Sequence, residues 1–151
     1  EEMMIAVSGY NDRNMVNTAL LNRYIISYES RNFKGRLSEF PMTLAYGQKV
    51  DSLRNRYKNY IWDGEFHHTV GAKVLVNGDT YDNYSVFADK ITGKRAVVIA
   101  NFNYDKSIEV KVNIDEIHSQ LFLVSPELPE AVQFDGWKNI PPNSAIVVFE
   151  K

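Results

Sequence analysis

The sequence predicts a mainly β protein, an antiparallel β-sandwich preceded by an N-terminal helical segment. Three observations lead there. Between Thr43 and Phe66, Tyr46, Val50, Leu53, Tyr57, Tyr60 and Ile61 recur at intervals of three and four, the period of one helical face. From Thr69 onward, short apolar runs alternate with turn signals at the spacing of a sandwich. Within that region, AVVIA is apolar on both faces while SIEVKVN alternates, so the first reads as a covered strand and the second as a strand with one wet face. Residues 1–66 form the helical part of this division and 67–151 the sandwich.

The elements follow in order. Met3 to Val7 is a short apolar run with strand character, closed by Ser8-Gly9. Asn11-Asp12 offers a cap for a helix through NMVNTALLN, with Val16, Ala19 and Leu20 on one side. Arg23 to Tyr28 suits a strand by its β-branched and aromatic content, or a continuation of the helix. Glu29 to Glu39 is polar and reads as a loop. The long helix then starts at or just after Pro41, which suits a first turn. It presents Lys49, Asp51, Arg54, Arg56 and Lys58 to water and stops at Asp63-Gly64, with Gly64 in the left-handed conformation.

The β region begins with a strand over Val70 to Val76 and a turn at Asn77-Gly78-Asp79. Tyr84 to Lys90 and Lys94 to Phe102 make a hairpin around Thr92-Gly93. Ile108, Val110 and Val112 point inward from the next strand, with Glu109 and Lys111 outward. A single helical turn is expected over Ile114 to Gln120, and strands over Leu121 to Val124 and Val132 to Phe134. Pro141-Pro142 leads into a buried final strand, AIVVF.

Composition narrows the function classes. The 151 residues carry a net charge of −2 with the two signs interspersed, which gives no electrostatic case for nucleic acid or an anionic membrane surface. No apolar run approaches the roughly 20 residues of a membrane-spanning helix. With no cysteine, thiolate metal sites and cysteine nucleophiles are excluded. The beginning, EEMMIAVSG, has neither a signal peptide's pattern nor a natural-looking start, and the chain reads as a piece of something longer. A cytoplasmic and an extracytoplasmic location are both compatible with it.

Chemistry-bearing motifs are sparse. His67-His68 lies beside Asp63 and Glu65, but adjacent histidines diverge on a strand or a helix, and His118 is remote in sequence. No metal or other cofactor is expected. LRNRYKNY mixes bases and aromatics, yet the helical wheel separates tyrosines inward from bases outward, a core-plus-solvent face. Glu29 and Arg31 follow the apolar run RYIISY, a polar pair suited to a salt bridge or to a pocket at the end of a barrel strand. Tyr81, Tyr84, Tyr104 and Trp137 lie in or beside turns, where they lid the ends of the core or offer stacking platforms to sugar rings.

Two stretches, NTALLNRYIISYESRNFKG and FPMTLAYGQKVDSLRNRYKNYIWDGEF, resemble the end of the catalytic barrel in bacterial glycoside-hydrolase-like proteins related to the α-galactosidase and α-amylase clan. SVFADKITGKRAVVIANFN and IPPNSAIVVFE are similar to the sandwich that follows the barrel there. The resemblance implies that RYIISYESR is the last barrel strand and Thr43 to Trp62 the last barrel helix. It also implies a non-catalytic sandwich that packs on and stabilises the barrel of the parent chain, with the catalytic carboxylates on earlier strands. No catalytic residue is expected in this chain, and Glu29, Arg31, Tyr84 and Trp137 are its candidate substrate-binding residues. Two alternatives stand beside this reading: a carbohydrate-binding module, and a domain that forms homodimers through exposed apolar surface around Tyr46, Tyr57 and Trp62.

Overall fold

The computed structural model describes residues 4–6 (as backbone), 12–28, 35–117 and 119–151. Two antiparallel sheets dominate, with helices before them in the chain, so the fold is mainly β and sandwich-like as the sequence patterns predict.

The first elements are β1 (Met4–Ala6), α1 (Arg13–Asn22) and β2 (Ile25–Ser27), with β1 and β2 paired in parallel. Asp12 caps α1, its carboxylate accepting from Asn14 N–H at 2.9 Å. Arg23 ends the helix in the left-handed conformation. Val16, Ala19 and Leu20 are fully buried on one side, as their spacing predicts. The stretch that suited either strand or helix thus contains a short strand.

The long helix is shorter than predicted. It runs as α2 (Pro41–Arg56), breaks at Tyr57, and resumes for one turn as α3 (Lys58–Ile61). Glu65–Phe66, just past the predicted stop at Asp63-Gly64, is strand β3. Tertiary contacts override the helical period here. Both the Tyr57 and Tyr60 rings rest on Phe149, at 5.1 and 5.5 Å, and Phe66 packs on Phe87 at 5.3 Å. Gly64 does not take the left-handed conformation. A Cβ there would lie 2.0 Å from the Tyr60 carbonyl oxygen and 2.9 Å from that of Ala88, so close backbone approach is what requires glycine.

The remaining strands are β4 (Ala72–Val76), β5 (Asp79–Thr80), β6 (Tyr84–Ala88), β7 (Arg95–Asn101), β8 (Ile108–Ile114), β9 (Leu121–Val124), β10 (Val132–Gln133), β11 (Trp137–Ile140) and β12 (Ser144–Glu150). One sheet has the order β10-β9-β12-β7-β6-β3, the other β11-β8-β4-β5. The helical turn expected after Ile114 is absent among the described residues. Asp115 and Glu116 turn with Glu116 at φ 53°, and Asp115 N–H returns to Gly71 O at 3.0 Å. The Val70 strand starts two residues later, because Val70 lies exposed in the preceding turn.

Layering explains the hydrophobic pattern. On β7 and β12, Ala96, Val98, Ala100, Ala145, Val147 and Phe149 face the helices, in one core with Val16, Leu20, Tyr46, Val50 and Leu53. Val97, Ile99, Ile146 and Val148 face the opposite way, toward Val74, Val110 and Val112 of the four-stranded sheet. The central sheet is therefore covered twice, by helices and by the second sheet, and its inner strands β7 and β12 are apolar on both faces. β8 belongs to the outer sheet, and its Glu109, Lys111 and Asn113 reach solvent.

Candidate functional site

Strand β2 and helix α2 meet at Tyr28, the residue after the strand. Its hydroxyl donates to Asp51 Oδ2 at 3.1 Å. Burial, reinforced by the Asp51 carboxylate, pushes the phenol well above its ordinary range. The tyrosine lies so close to α2 that a Cβ at Gly47 would sit 2.1 Å from its hydroxyl oxygen. Glu29 and Arg31 lie outside the described residues.

Beside Tyr28, a groove of about 490 Å³ runs between β2 and the two helices. Ile25, Ile26 and Trp62 supply apolar wall, while Asp51, Arg54, Asn55 and Lys58 supply the polar one. Arg54, expected to point to water, is only 5% exposed. Its Nη2 donates to Ala19 O at 2.5 Å, and its guanidinium carbon lies 5.0 Å from the Trp62 ring centroid. Its Nε has no partner among the described residues. Desolvation lowers its pKa to about 10 against the pull of Asp51. Arg23, at the end of α1, donates from Nη1 to Gly64 O at 2.9 Å. Arg54 is four residues after Val50 and eight after Tyr46, so its place on the apolar face was readable from the wheel. The basic residue type masked it.

The aromatic candidates separate into different roles. Tyr84 packs on the core between the sheets, and its hydroxyl donates to Ala72 O at 2.9 Å, with Thr69 O a second acceptor in reach at 3.2 Å. It thereby bridges β6 to β4. Tyr81 does the converse, reaching Ala100 O of β7 at 2.7 Å. Tyr104 is 69% exposed, with its hydroxyl on Asp12 Oδ2 at 2.8 Å. Trp137 is 51% exposed at the start of the edge strand β11. These residues do not converge on Tyr28 or the groove beside it.

His67 and His68 belong to the turn after β3. His67 N–H donates to Val86 O at 2.9 Å, and the His68 ring packs on Phe66 at 4.6 Å. Among the described residues no three His, Asp or Glu side chains gather as a metal site, and His118 lies outside them.

No family model matches the chain, and no curated protein matches it.

Proposed function

We propose that the chain is the carboxy-terminal part of a glycoside-hydrolase-like enzyme, in which a non-catalytic sandwich packs on and stabilises the end of a catalytic (β/α)8 barrel. The observation that carries this reading is the order β1-α1-β2-α2 with β1 and β2 parallel. Parallel strands joined through a helix are the repeating unit of α/β barrels, and such sheets are normally larger and covered on both faces. Here the two strands pair only with each other among the described residues. Their edges, paired with no other described strand, and the groove of Ile25, Ile26 and Trp62 suit neighbouring barrel elements, with Arg54 Nε offering a donor to a carbonyl or carboxylate.

In this reading Glu29 and Arg31 follow the last barrel strand and contribute to the rim of a carbohydrate pocket, while the nucleophile and acid stand on earlier strands. The sandwich serves by burying α1 and α2 against its central sheet. Aryl glycosides incubated with the 151-residue chain should show no turnover above background, and clear turnover would overturn the assignment. The coding sequence upstream supplies the positive test. It should encode further βα units with two carboxylates at strand ends, and its lack of them would refute the proposal.

Exposed Ile25 and the open strand edges favour a second reading, in which another copy of the chain pairs there. Sedimentation at high concentration would then give a dimer that Ile25→Lys disperses, and a monomer would exclude it.

A further inference from the structure

We propose that the corner where the chain crosses from the six-stranded to the four-stranded sheet is a binding site for a neutral oligosaccharide, with Trp137 as its stacking platform. Between β10 and β11 lies a cleft of about 270 Å³, lined by Gln133, Phe134, Asp135, Trp137, Lys138 and Asn139 among others. Both strands are sheet edges, so no further strand covers it among the described residues.

The corner backbone is fixed. Phe134 is buried and its N–H donates to Leu121 O at 2.9 Å, while Gly136 O accepts from Val112 N–H at 3.0 Å. Gly136 sits at φ 102°, a conformation that favours glycine, and a Cβ there would meet nothing within 4 Å. The approach to the corner is thus open while its frame is pinned.

The lining chemistry points to a sugar. An indole left half in water is an apolar surface of the kind on which the C–H face of a pyranose stacks. Elsewhere in the lining, Gln133, Asp135, Lys138 and Asn139 make no side-chain hydrogen bond or ion pair with any described residue. Amide, carboxylate and ammonium groups together provide the donors and acceptors that vicinal hydroxyls require. The cleft falls just below the roughly 300–1,000 Å³ range of ligand pockets, which suits one sugar ring with its neighbours extending into solvent.

Charge favours a neutral ligand. The lining carries one acid, Asp135, and one base, Lys138, and across the register Lys111 stands opposite Trp137 while Glu109 stands opposite Asn139. The site is independent of the barrel reading, since β10 and β11 belong wholly to the sandwich.

The test is a ¹H–¹⁵N titration of the whole chain with maltohexaose, cellohexaose, xylohexaose and mannohexaose. The chain has two tryptophans, hence two indole N–H signals, at Trp62 and Trp137. At least one probe should shift the Trp137 indole and leave Trp62 in place. Trp137→Ala should weaken that binding at least about tenfold, as for an aromatic anchor, with the melting temperature unchanged. Trp137→Tyr should retain part of the affinity, and Asp135→Asn should lower it several-fold. No Trp137 shift with any probe at roughly 10 mM, beyond the range of useful affinity, would overturn the proposal. So would a shift confined to Trp62, or undiminished binding by a folded Trp137→Ala variant.

Discussion

The Tyr60 hydroxyl donates to the backbone carbonyl of Glu150 at 2.7 Å, joining the last turn of the helical segment to the last residue of the final strand. The bond is buried, and the Tyr60 ring lies on Phe149 at 5.5 Å beside it. Glu150 in turn accepts from Arg95 N–H at 2.8 Å through its side chain. One tyrosine therefore couples α3 to β12 and, through Glu150, to β7. The helical segment and the central sheet share this seam and the apolar core behind it.

Tyr60→Phe should keep the ring packing and remove this buried bond to the Glu150 carbonyl. The expected loss is about 1–3 kcal/mol. For a chain of this size each kcal/mol corresponds to roughly 2–4 °C in the melting temperature. Tyr60→Ala also removes the ring and should cost about 3–5 kcal/mol. Urea denaturation followed by circular dichroism measures both, and an unchanged midpoint for Tyr60→Phe would show that the seam adds nothing.

Gly47 lies inside α2, where alanine would ordinarily be better by about 0.5–1 kcal/mol. The Tyr28 hydroxyl reverses that preference, since an added Cβ would stand 2.1 Å from it. Gly47→Ala should therefore destabilise the protein by about 1–3 kcal/mol, the range for overpacking. In a Tyr28→Ala background the same substitution should become neutral or stabilising. The double-mutant cycle reads this coupling directly, and additive effects would contradict the contact.

These residues show what was legible and what was not. The layers could be read because burial on two faces leaves a different pattern, as in AVVIA, from burial on one, as in SIEVKVN. Val16, Leu20, Tyr46, Val50 and Leu53 were likewise visible, because they recur at the helical period. The break at Tyr57 was hidden, since it depends on Phe149, ninety-two residues later in the chain. Strand β11 was hidden as well. WKNI carries one apolar residue committed to the core, Ile140, and gains its place by pairing with β8. Trp137 was nameable as an exposed aromatic, but the cleft beside it arises only when the chain turns the corner at Gly136. Residue type misled at Arg54, where the helical period was the better guide.

Asp89 joins the β6–β7 turn to α3. Its Oδ1 accepts from Ile91 N–H at 2.7 Å and Thr92 N–H at 3.0 Å, and its Oδ2 from the Asn59 amide at 2.6 Å. The Asn59 bond, helped by the two backbone donors, holds the carboxyl below its ordinary value. Because the folded-state value is depressed, the stability it contributes is fully present above the ordinary Asp value near 3.8 and is lost as pH falls through the folded value. Asp89→Asn should flatten the acid limb of stability measured from about pH 5 down to about pH 2. Asp89→Ala should cost about 1–3 kcal/mol at neutral pH, where the bonds are intact in the parent. An acid limb identical in Asp89→Asn would assign the pH dependence to other carboxylates.

The strongest test of the layered arrangement uses two adjacent valines. Val97 lies against Val86 and Val148 between the sheets, while Val98 lies opposite Val147 on the helix-facing side. If α1 and α2 cover the six-stranded sheet, both positions are interior, and Val97→Asp and Val98→Asp each bury an unpaired carboxylate. Each should then lose more than about 4 kcal/mol, a large share of the roughly 5–15 kcal/mol that holds a domain together. Were the helical layer absent, Val98 would resemble Lys111 on β8, where one face is wet and substitution to serine should stay within about ±0.5 kcal/mol. Val98→Asp is therefore the discriminating variant. Its failure to fold alongside Val97→Asp supports a sheet covered twice, whereas a folded Val98→Asp with a midpoint near the parent's would remove the helices from that face.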